Sequence, residues 1–91
     1  MPKILMINGY QISIWSNENG EPMHVHVSKR KPSVNSTKLW LLSNGTFVKA
    51  NPDDHRIPDS ELRKIMAKLQ PQAALVRQYW IGFHGYEKYI R

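Results

Sequence analysis

Hydrophobic positions in the first half of the chain recur with period two. The run "KILMI" (Lys3 to Ile7) is apolar and rich in β-branched residues. Asn8-Gly9 follows it, a dipeptide that favours two-residue hairpins because both positions tolerate positive φ. In "YQISIW", Tyr10, Ile12 and Ile14 fall on one face and Gln11, Ser13 and Trp15 on the other, the pattern of a half-buried strand. "SNENGEP" reads as a polar loop punctuated by Gly and Pro. "MHVHVSK" alternates again, so Met23, Val25 and Val27 point inward while His24, His26 and Ser28 share the other face. After the polar "RKPSVNS", the runs "TKLWLL" and "FVKA" predict two more strands. They are joined by "SNGT", in which Asn44-Gly45 repeats the hairpin chemistry. The first half therefore predicts an antiparallel meander of four or five strands.

The period then changes. "NPDDHRIPDS" is a loop of turn residues that ends in a helix-start signal, with Pro58 at the boundary and Asp59 or Ser60 as the capping residue. Leu62, Ile65, Met66 and Leu69 recur at helical spacing, with Arg63, Lys64 and Lys68 facing away. Pro71 ends that helix or opens another, because it has no amide to donate but suits a first turn. Leu75, Val76, Tyr79, Trp80 and Phe83 form a second apolar stripe. "YEKYIR" is a tail or a final short strand. The prediction is one α+β domain over residues 1–91. It consists of an antiparallel β-meander followed by one or two C-terminal helices packed on one sheet face.

Composition narrows the chemistry. The chain of 91 residues has no cysteine, which excludes disulfides, thiolate metal sites and a cysteine nucleophile. No apolar run approaches a membrane span and nothing resembles a signal peptide, so a cytoplasmic protein without membrane contact is expected. The net charge of +6 attracts polyanions, nucleic acid above all. The excess is uneven: residues 1–50 carry six Lys/Arg against Glu18 and Glu21, and Lys29-Arg30-Lys31 is the densest knot.

The residues also carry a resemblance. "MPKILMINGYQISIWSNENGEPMHVHV" is similar to the opening of a family of small bacterial proteins described as domain of unknown function 4160, whose hallmark is a Gly-Glu-Pro-x-His-Val-His-Val core. The likeness continues through "TKLWLL", "ELRKIM" and the spacing from Leu75 to Trp80. The chain departs from it at Met23, where proline is commoner, and in the acid-containing insert around Asp53-Asp54-His55. The resemblance implies a component of a toxin–antitoxin-like gene pair, and with it RNA cleavage or binding to a neighbouring gene's product. It carries over no catalytic residues.

Three chemistries then compete for the histidine pair. In a metal-independent ribonuclease, His24 and His26 are the acid and base, since imidazole titrates near neutrality. Lys38 or the cationic knot stabilises the phosphorane. In a non-catalytic module that binds nucleic acid or protein, the pair is merely polar. In either nucleic-acid reading Lys29, Arg30 and Lys31 meet phosphates, and Tyr10, Trp15 and Trp40 offer stacking surfaces for unpaired bases. In a metal-binding protein, two strand histidines about 6.5–7 Å apart at Cα share one ion, with a third ligand from His55, His84, Asp53 or Asp54. No complete ligand set is visible in the sequence, so no metal or other cofactor is expected.

Overall fold

The computed structural model describes residues 3–15, 20–29 and 36–91. Five strands form one antiparallel sheet in chain order: β1 (Lys3–Ile7), β2 (Tyr10–Ser13), β3 (His24–Lys29), β4 (Thr37–Leu41) and β5 (Phe47–Lys49). Helix α1 (Asp59–Leu69), a 3₁₀ turn (Gln70–Gln72) and helix α2 (Ala73–His84) follow. The α+β order of meander then helices is the one the periodicity predicts. The 3₁₀ turn carries Pro71 at its start, where the missing amide costs nothing. The polar connections expected at residues 16–19 and 30–35 lie outside the described residues, and with them Arg30 and Lys31.

Register follows the alternation. Ile12 faces Val27, Val25 faces Leu39 and Leu41 faces Phe47, which assembles one apolar face across four strands. Ser13 faces His26, His26 faces Lys38, and His24 faces Trp40, which assembles the other. Leu62, Ile65 and Leu69 of α1 and Ala73, Val76 and Trp80 of α2 are buried in the same apolar cluster as Val25, Leu39 and Leu41.

The two Asn-Gly pairs turn differently. Asn8 (φ 51°) and Gly9 (φ 82°) both lie in the left-handed region, as a type I′ hairpin requires. At the second pair only Gly45 (φ 86°) does so, and its amide bonds Leu42 O at 2.9 Å. That is a type I turn followed by a left-handed glycine, fixed by Asn44 Oδ1, which accepts from the Thr46 amide at 3.1 Å and the Thr46 hydroxyl at 2.6 Å. The tail after α2 is not a strand. It nevertheless runs along the sheet end, where Lys88 O accepts from the Met23 amide and Arg91 O from the Ser43 amide.

The start of α1 departs from expectation. Pro58 occupies the N-cap, and neither Asp59 nor Ser60 caps the helix through its side chain. The Asp59 carboxylate is drawn instead to Lys49 Nζ and His55 Nδ1, each 3.5 Å away.

Two outcomes follow. Ile65 is fully buried, so Ile65→Ala lowers unfolding free energy by about 2–5 kcal/mol, read from a denaturant titration. Lys49 holds the Asp59 carboxyl below the ordinary 3.8. Because the folded value is depressed, the pair stabilises the fold above the ordinary carboxylate value and loses this effect as pH falls through the lower folded value. Asp59→Asn should therefore lower Tm at pH 7, with the gap to wild type closing in acid. A gap that does not change with pH contradicts the pairing.

Candidate functional site

β3 is the middle strand of five, and both its faces are covered: every residue from His24 to Ser28 is buried. The histidines do project together, opposite the valines, as the alternation predicts. They are not solvent-facing. His24 is 0% exposed and His26 is 6% exposed. What covers them is aromatic. The Trp15 ring stacks on His26 with centroids 4.3 Å apart. His24 meets His26 edge-on at 5.0 Å, Trp40 edge-on at 5.4 Å and Trp80 of α2 at 5.0 Å. Trp80 continues the contact to His84 at 4.1 Å, and His84 to Tyr86 at 6.0 Å.

The histidine rings are tied to backbone carbonyls and to a serine hydroxyl, whereas the buried indole nitrogens of Trp15 and Trp80 have no hydrogen-bond partner among the described residues. His24 Nδ1 lies 2.8 Å from Pro22 O. A carbonyl only accepts, so Nδ1 carries hydrogen and the lone pair of a neutral ring sits on Nε2. His26 Nδ1 lies 3.0 Å from Ser36 Oγ. His84 Nε2 donates to Trp15 O at 3.0 Å, which ties the end of α2 to the end of β2. A buried imidazole without such partners would cost on the order of 1–3 kcal/mol.

Lys38 stands directly across the ladder from His26. Its ammonium bonds Glu21 Oε1 at 2.5 Å and lies 4.4 Å from the centroid of Trp40. The positive charge proposed to meet a phosphorane is thus paired with a carboxylate. Glu21 is positioned in turn by Tyr86, whose hydroxyl donates to Glu21 O at 2.7 Å and accepts from the Gly20 amide at 2.8 Å.

The structure thus brings His24, His26, Lys38, Trp15 and Trp40 into one cluster, with Trp15 and Trp40 half-buried. Lys29 is exposed at the opposite end of β3, apart from that cluster, and Tyr10 is buried at the start of β2. Of the residues weighed as third metal ligands, Asp53 and His55 are exposed and His84 lies beyond Trp80 from His24. Among the described residues no group of three or more His, Asp or Glu is placed to hold a metal. Trp80 and Tyr86 are the members that the sequence does not reveal. Trp80 reads as a helix-stripe residue and Tyr86 as tail, and only the unpaired backbone groups of a Gly-Glu-Pro turn hint that a distant hydroxyl is needed there.

An antiparallel five-stranded sheet followed by a helical segment, with a buried His-x-His on its central strand, defines a small α+β protein. The chain belongs to the family described as Domain of unknown function (DUF4160), whose model matches residues 9–80. No curated protein and no solved structure matches the chain.

Removing the His24 ring leaves a hole between Trp40 and Trp80. His24→Ala is expected to lower stability by about 2–4 kcal/mol, in the range of large-to-small changes at fully buried sites. Lys38→Ala removes a partly exposed pair and costs at most about 1 kcal/mol. Chemical denaturation of both variants checks the order, and a larger loss for Lys38→Ala reverses the assignment of His24 to the core.

Proposed function

We propose that the protein is a non-catalytic, cytoplasmic nucleic-acid-binding module in which the His-x-His pair holds the sheet together. The observation that carries this reading is the complete burial of His24 beneath Trp40 and Trp80, with Nδ1 bonded to Pro22 O. A general acid or base must come within hydrogen-bond reach of the proton it moves. An imidazole with no exposed surface offers no such approach to a phosphodiester. The family resemblance to toxin–antitoxin-like components then bears on binding rather than on cleavage.

The charge that remains for a partner is displayed away from the ring cluster. Lys29 is exposed on β3, and Arg63, Lys64 and Lys68 are exposed on α1. With a net charge of +6, these side chains favour a polyanion through phosphate neutralisation and counterion release. A protein partner, such as a neighbouring gene's product, is a second reading. It is supported by the half-exposed Tyr79 and Phe83, whose rings stack 6.2 Å apart beside Gly82 on the outer side of α2.

Fluorescence anisotropy with a single-stranded RNA decamer tests the first reading. Contact with three phosphates gives a slope of about −2 in log affinity against log salt. The RNA should be recovered intact after incubation, with or without a chelator. Cleavage by the wild type that disappears in folded His24→Gln and His26→Gln variants returns the pair to catalysis. Binding that ignores salt, or no binding at low salt, removes nucleic acid as the partner.

A further inference from the structure

The sheet end opposite the ring cluster carries a second polar feature. Tyr10 opens β2, Lys29 closes β3 and Thr37 opens β4, and the chain around Arg56 and Glu61 faces them across an open cleft of about 470 Å³. That volume lies in the range of small-ligand sites. Thr37 is 2% exposed, yet its Oγ1 has no hydrogen-bond partner among the described residues.

The charged groups of the cleft are of two kinds. Arg56 uses Nη1 to bond Ser36 O at 3.0 Å and Asp54 Oδ2 at 3.1 Å. These contacts hold the guanidinium at the rim, where the Asp54 carboxylate offsets part of its charge. Lys29 supplies a second cation. Glu61 supplies an acceptor, held 3.3 Å from the Tyr10 hydroxyl that donates to it. Burial, together with the Glu61 charge, pushes the Tyr10 hydroxyl above its ordinary value, so it stays a donor throughout the physiological range. Cations suit a phosphate, whereas a carboxylate accepts from hydroxyl groups and repels phosphate. A ligand that satisfies both kinds carries a phosphate and hydroxyl donors on one compact frame, as a ribonucleotide does.

We propose that this cleft is a ribonucleotide subsite, in which Lys29 and Arg56 meet the phosphate and Glu61 accepts the ribose 2′-hydroxyl. The inference rests on the nucleic-acid-binding reading and deepens it. A deoxyribose presents no such hydroxyl, so the cleft makes the protein prefer RNA to DNA. Lys29 and Arg56 set affinity and its salt dependence, and Glu61 sets the choice of sugar.

The test uses the full chain and three decamers of one base sequence: oligouridylate, its deoxyuridine equivalent and its 2′-O-methyl equivalent. Anisotropy at low salt should show the RNA bound about tenfold more tightly than the other two, because neither of them donates from the 2′ position. In Glu61→Ala the ratio of RNA to deoxyuridine affinity should fall to about one, even where the lost negative charge raises both affinities. Lys29→Ala should weaken both oligomers alike and reduce the salt slope by about one contact. The wild type binding all three oligomers equally, with its salt slope intact, overturns the subsite and leaves the binding module standing. An RNA preference that survives in Glu61→Ala also overturns it. Binding of none of the three overturns the subsite together with the reading beneath it. The 2′-O-methyl comparison needs no variant, so a Glu61→Ala protein that fails to fold does not shield the inference.

Discussion

A central strand whose two faces are both covered has to satisfy a polar residue at every second position without water. Here that strand is β3, and the requirement falls on His24 and His26. Each imidazole presents two nitrogens that favour hydrogen bonds, and an unpaired one in the interior costs as much as a lost core methyl group or two. The arrangement around the strand answers that demand. The Gly20–Pro22 turn offers a carbonyl to His24, Ser36 meets His26, and the rings of Trp15, Trp40 and Trp80 exclude solvent. Tyr86 then holds the turn itself, bonding Gly20 and Glu21 together. Breaking any of these contacts loosens the next.

The alternation of apolar and polar residues made the strand order and the facing of each strand legible, because period two admits only one division of side chains. The same alternation is silent about what lies above the polar face. "HVHV" reads identically on a wet strand and on one roofed by indoles, since local sequence records the side on which a residue projects and not the residue that comes to meet it. Trp80 and Tyr86 arrive from the far end of the chain, and no spacing rule links them to His24. The fate of Lys38 was hidden for a related reason. Its pairing with Glu21 depends on the register of β4 against β3, which local sequence does not record, although the two charges are near enough in sequence for a pair to be considered.

Smaller disagreements have equally local causes. The two Asn-Gly pairs look interchangeable as letters, yet Asn44 spends its side chain on Thr46 and stays out of the left-handed region, while Asn8 enters it. Asp59 was a reasonable helix cap until Lys49, on the last strand, competed for its carboxylate. In both cases a side chain with two possible partners chose the one that tertiary structure supplied. The cationic knot was legible as composition only, and of its three residues Lys29 alone falls among those described.

The clasp between Tyr86 and the Glu21 turn joins residues 65 positions apart, while neighbouring strands of the meander are joined by short connections. During synthesis the sheet residues leave the ribosome first and have local partners available at once. Trp15 and Trp40 are present from the start, but His24 must wait for Trp80 of the last helix before its cover is complete. A nascent chain therefore passes through an interval in which a side chain that ends fully buried is only partly covered. In that interval the partly covered imidazole and the indoles beside it form the sticky surface that a chaperone, or another copy of the same nascent chain, meets first.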